Sequence, residues 1–144
     1  MSGDPTVSNP SDERIRAVLE GMKRISVVGL SAREDRASHG IARFLVGKGF
    51  TVVGVNPVLD EPVLDLPIYA ELADVPGTVD VVDVFRRSDA VPEIVDQAIA
   101  RGDACVWLQE GVVHEEAAGR AREAGLEVIS DRCIYKEWLR LMDR

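Results

Sequence analysis

The chain has 144 residues, 46% of them hydrophobic and 29% charged, which is the make-up of one globular domain with a single buried core. A net charge of −8 argues against non-specific binding to nucleic acid or a membrane surface, although gathered basic residues could still hold a small anion. No run of about 18 apolar residues is present, so no membrane span is expected.

Residues 1–10 are polar and acidic, without a basic start or an apolar centre, and read as a loose tail rather than a secretory signal. The folded domain is then expected over 11–144. Ser11 is placed to cap a first helix ending near Gly21, with Ile15, Val18, Leu19 and Met22 turned inward.

A β-branched run at 24–30 follows, and similar runs recur at 51–55, 79–85, 104–109 and 126–130. They are almost continuously apolar, as parallel strands covered on both faces require. Helices fit between them: one capped by Ser38 and closed by Gly47-Lys48-Gly49, one over 90–101, one over 114–124 ending at Gly125, and a last one after Asp131. The least regular stretch is 56–76, which holds four of the seven prolines. A short strand near 62–64 and a short helix near 69–73 are expected within it.

This alternation predicts an α/β fold, a single doubly wound Rossmann-like domain with a parallel sheet of five or six strands. Ligands of such sheets bind beyond the carboxyl ends of the strands, at the switch point. The first such end reads Val27-Val28-Gly29-Leu30-Ser31-Ala32-Arg33-Glu34-Asp35-Arg36-Ala37-Ser38-His39-Gly40. A strand, a glycine turn and a helix start suit a pyrophosphate, and Ser31, Arg33, Arg36, Ser38 and His39 add donors. A plain charged surface loop is the alternative. The G-x-G-x-x-G of dinucleotide sites is absent. The second strand ends in Asn56-Pro57 without the carboxylate that grips a ribose diol in NAD enzymes. Gly47-Lys48 is not a P-loop, having neither the upstream glycine nor a following Ser or Thr.

Cys105 and Cys133, and His39 and His114, are scattered rather than set at metal or disulfide spacings, so a reducing cytoplasm and no metal are expected. Cys133 reads as a packing thiol, with a nucleophile as the alternative, Cys105 as core and His114 as a surface helix start. Asp83 lies mid-strand, where burial demands a hydrogen bond. No nucleophile, base and orienting group assemble into a catalytic set.

Taken together, "VVGLS…R.SH", "GFTVVGVNP", "IYAELADVP", "VDVVDVFRRSDAVPEIVDQAI" and "VWLQEGVVHEEAAGRAREAGLEVISDRC" with Glu137 carry a resemblance. From about residue 12 to 138 the chain resembles the small stand-alone coenzyme A-binding proteins. Their fold is similar to the CoA-binding N-terminal domain of the succinyl-CoA synthetase α-subunit. The resemblance implies CoA or an acyl-CoA as ligand, with Gly29, Leu30, Ser31 and Arg36 in the phosphate-holding loop. It likewise implies Asn56 and Pro57 beside the adenosine end, Phe85 and Arg86 ending the middle strand, and Gln109 and Gly111 in the next loop. Asp131 and Cys133 fall in the "D-R-C" before the last helix.

Two positions depart from the family pattern: Ala37 replaces a proline, and Tyr135 stands where a lysine is common, with Lys136 one place later. Arg33, Arg36, Arg86, Arg87, Arg132 and Lys136 all fall at or just past strand ends, where they offset the overall acidity. The resulting expectation is non-catalytic binding of CoA. The alternatives are a small acyl-CoA- or NAD(P)-linked enzyme, whose site could form across an oligomer, and a CoA-dependent protein-interaction module.

Overall fold

The computed structural model describes residues 8–59 and 61–142. Helix α1 (Asp12–Gly21) is capped as expected, the Ser11 hydroxyl accepting from Arg14 N. It leads into β1 (Arg24–Val28), α2 (Ala37–Gly47) and β2 (Thr51–Val55). Then come β3 (Ile68–Tyr69), β4 (Val81–Val84), α3 (Val91–Arg101), β5 (Cys105–Leu108), α4 (Glu115–Glu123), β6 (Glu127–Ile129) and α5 (Ile134–Leu141). All six strands are parallel, in the order β3-β2-β1-β4-β5-β6. The fold is therefore the Rossmann-like one expected, and the chain reverses its winding between β1 and β4.

Alternate residues of each strand feed two apolar cores. Val28, Val53, Val82, Val106 and Val128 pack under α3 and α4. Ile25, Val27, Val81, Trp107 and Ile129 pack under α1, α2 and α5. Burial on both faces explains why the strands lack a polar side.

The irregular stretch departs from expectation. Val63 and Leu66 form an isolated antiparallel bridge, and Leu64 and Asp65 between them have φ of 56° and 59°. Residues 62–64 thus enter a tight turn rather than a strand, because two positive φ values fold the chain back at once. The sixth strand is instead Ile68–Tyr69, which pairs with Gly54 and Val55. Gly54 permits that approach, since a Cβ there would lie 2.6 Å from both Ile68 Cδ1 and Leu30 Cδ2. The short helix is a 3₁₀ turn at Leu72–Asp74, slightly later than expected.

Asp83 is fully buried on the α1/α2/α5 face, with Val27 and Trp107 beside it in register. The hydrogen bond expected for it is not formed: neither carboxylate oxygen has a partner among the described residues. Burial pushes its pKa well above the usual carboxylate range. The side chain sits in an apolar setting that disfavours its charged form. Of the expected tail, residues 1–7 lie outside the described residues. Asn9 bonds both backbone groups of Ser130, its amide nitrogen to the carbonyl at 2.9 Å and its oxygen to the N–H at 2.7 Å.

Candidate functional site: a divided groove at the carboxyl edge of the sheet

Gly29 ends β1 with φ +91°. A Cβ there would lie 2.8 Å from the Phe85 carbonyl oxygen and 3.3 Å from Arg86 Cδ, so only glycine lets the ends of β1 and β4 close together. The loop beyond is held from within. Ser38 is not the helix cap predicted from the sequence. Helix α2 starts two residues earlier than that cap would place it, with Arg36 in the cap position, and the Ser38 hydroxyl accepts from Ser31 N at 3.0 Å. His39 is 5% exposed, and its Nδ1–H donates to the Ser31 carbonyl at 2.9 Å. Both side chains shape the loop.

Helix α2 has no side-chain cap and no acidic residue in its first turn, whereas α1 and α4 are capped by Ser11 and by His114 Nδ1. Its leading amides are left to an outside acceptor, with the helix dipole behind them. A cleft of about 250 Å³ opens there, lined by Gly29, Ser31, Arg33, Arg36, Ala37, Ser38 and Phe85.

On the other side of Gly29 and Phe85 lies a second cleft of about 300 Å³, bounded also by Asn56, Pro57, Val58 and Arg86. A narrower recess of about 140 Å³ continues past Pro57 and Arg86 to Glu71, Glu93 and Gln97. Asn56 is spent on architecture. Its Nδ2 donates to the Leu30 carbonyl at 2.8 Å, and its Oδ1 accepts from Val58 N at 2.9 Å. Leu30 itself is completely buried in the core. Sequence reasoning did not reach Glu71, Glu93 or Gln97. The usable signal was Pro92 at the start of α3, which puts residues 93 and 97 one turn apart at the carboxyl end of β4.

The arginines separate into two groups. Arg14, Arg16, Arg24, Arg33, Arg43, Arg87, Arg101, Arg120, Arg122, Arg132 and Arg140 each bond a carboxylate or a backbone carbonyl. Among the described residues, the guanidinium groups of Arg36 and Arg86 alone make no such bond. Both are exposed, and both face the groove, one on each side of Gly29 and Phe85.

The remaining predicted site residues gather at the ends of β5 and β6, away from these clefts. Gln109, 6% exposed, accepts from Ile134 N at 3.1 Å and so caps α5. Asp131 adopts φ 57° while its Oδ1 accepts from Gly111 N at 2.8 Å, tying the two loops together. Cys133 is buried at the cap position of α5, and Cys105 is buried in β5. Lys136 pairs with Glu110 at 3.0 Å, and that contact raises its pKa. A wider cleft of about 410 Å³ lies between α1 and β6, but its one cationic lining residue among those described, Arg14, is paired with Glu127, and Glu13 adds a further carboxylate.

Comparison with known proteins shows what the chain and its fold are similar to. The sequence pattern of the CoA binding domain family matches residues 23–138. Protein YneT of Bacillus subtilis (strain 168) is 38% identical over 128 residues, covering 89% of this chain and 94% of its own. A solved structure from Pyrococcus horikoshii OT3 superposes with a TM-score of 0.89 at 34% identity, covering 99% of both chains. The dinucleotide-forming acetyl-coenzyme A synthetase 1 of Ca. Korarchaeum cryptofilum, in its apo form, gives 0.65 at 28% identity. There the match covers 74% of this chain and 25% of the synthetase.

Proposed function

This chain belongs to the CoA binding domain family, and from that premise we infer that it binds coenzyme A, free or acylated, at the carboxyl edge of the sheet without turning it over. The observation that carries the reading is the pair of unengaged guanidinium groups, Arg36 and Arg86, on a groove beside the uncapped start of α2. An unpaired arginine beside free helix amides suits a diphosphate, because the planar fork and the amide dipoles both make charge-assisted bonds, and a second unpaired arginine suits a further phosphate of the same ligand. The absence of a carboxylate at Asn56 supports CoA over NAD, and the Asn56 side chain is in any case turned to Leu30.

Binding without turnover is supported by how the reactive side chains are used. His39 is fixed to a backbone carbonyl, Asp83 is sealed in the core, and both thiols are buried. The free thiols also fit a reducing cytoplasm. Native mass spectrometry of the purified protein tests the reading directly. A retained species of CoA or acyl-CoA mass, displaced by added CoA, is expected. Failure to retain or to bind any CoA species at micromolar concentration would overturn it.

A further inference from the structure

Among the described residues that line the groove at the end of β2, Arg86 is the one cation. From Asn56 to Pro76 the chain carries no Lys, Arg or His, but it does carry Asp60, Glu61, Asp65, Glu71 and Asp74. Any cation there must come from the end of β4. Arg86 supplies it, bordering both the open cleft with Asn56, Pro57 and Val58 and the recess with Glu71 and Glu93. Arg36 borders the other cleft, beyond Gly29 and Phe85. Two anion positions therefore exist, on either side of the close approach of β1 and β4.

A diphosphate at the start of α2 accounts for Arg36 and leaves Arg86 without an anion. In doubly wound folds the diphosphate sits at that first helix and the adenosine ribose at the end of the second strand. An arginine beside that strand end accommodates a phosphate carried on the ribose. The open cleft is the place for it, because no acid is among the described residues that line it. The recess is not: Glu71 and Glu93 would repel a dianion, and the Glu71 carboxylate already accepts from Gln97 Nε2 at 3.2 Å.

We propose that Arg86 is the specificity-determining residue that reads the phosphate on the adenosine ribose, so that the chain selects CoA over 3′-dephospho-CoA. The assignment rests on the CoA reading above and adds to it the residue that enforces the choice. One charge-assisted contact of this kind corresponds to a preference of about 10- to 100-fold.

The experiment is a calorimetric titration of wild type, Arg86→Met and Arg36→Ala with CoA and with 3′-dephospho-CoA. The expected result is that wild type prefers CoA by about 10- to 100-fold. Arg86→Met should lose that preference with its 3′-dephospho-CoA affinity unchanged, while Arg36→Ala weakens both ligands alike. An Arg86→Met protein that keeps the preference, or that loses affinity for both ligands equally, overturns the assignment while leaving CoA binding intact. A wild type that binds neither ligand overturns the CoA reading and the assignment with it. Titration with adenosine 2′,5′- and 3′,5′-bisphosphate completes the test, and tighter binding of the 2′ isomer would overturn the choice of CoA. Arg86 is exposed and bonds no other described residue, so its loss should leave the melting temperature unchanged.

Discussion

Gly29 and Phe85 meet where β1 and β4 diverge, so closely that one added methyl group on Gly29 would stand 2.8 Å from the Phe85 carbonyl oxygen. That contact divides the groove in two and fixes the loop on either side. Gly29→Ala would combine this clash with a left-handed backbone that alanine resists. The variant is expected to lose about 1–3 kcal/mol of stability and most of its CoA affinity. Thermal melting and titration measure the two effects, and a variant that binds CoA at wild-type strength would remove the glycine from the account of the site.

Arg36→Ala is expected to weaken CoA binding by about 10- to 100-fold, from the loss of about 1.5–3 kcal/mol of charge-assisted bonding. Arg36→Lys should restore only part of this, retaining charge without the fork. Arg33→Ala is the control. Arg33 lines the same cleft, but its guanidinium is paired with Asp35 at 2.9 Å, so its loss should cost less. Equal losses for the two alanine variants would contradict a special place for Arg36.

Asn56→Asp imitates the carboxylate of NAD-binding chains, yet it should not confer NAD binding. The side chain is turned toward the Leu30 carbonyl, to which a carboxylate cannot donate. The expected cost is about 1–3 kcal/mol of stability, with CoA still bound more tightly than NAD. A gain in NAD affinity on titration would show that the residue reaches the ligand.

Asp83 predicts a pH dependence of definite sign. Its folded pKa is raised by burial, so the folded state holds a proton that the unfolded chain releases above the ordinary value of 3.8. Stability must then fall as pH rises through that window, by up to about 1.4 kcal/mol per pH unit until the folded pKa is reached. Asp83→Asn lacks the titrating group, so its stability relative to wild type should increase with pH. Urea unfolding of both proteins between about pH 5 and 8 checks this, and parallel stability curves would mean that Asp83 finds a partner.

Purified protein incubated with a panel of acyl-CoA thioesters should release no thiol. Cys133 is buried at the head of α5, and Gln109 rather than a base stands beside that helix start. Release that disappears in Cys133→Ser would instead make the chain a cysteine-dependent thioesterase.

Much of this molecule was legible in the chain itself. Apolar runs of strand length, Ser11 before the first helix and the glycines after the others gave the alternation of elements, because periodicity and capping act over a few residues. The glycine turn into a basic loop pointed to the cleft at the start of α2 for the same local reason. Contacts between residues far apart in sequence were decided only by the folded arrangement. The sixth strand is Ile68–Tyr69 because Gly54 leaves room for Ile68, not because 68–69 has a stronger strand pattern than 62–64. Asn56 became a strut for Leu30 across 26 residues, and Ser38 a strut for Ser31 in place of a cap. Fourteen arginines look alike in the sequence. Which of them keep a free guanidinium depends on the carboxylates and carbonyls the fold brings within reach, and it brings none of them to Arg36 or Arg86 among the described residues.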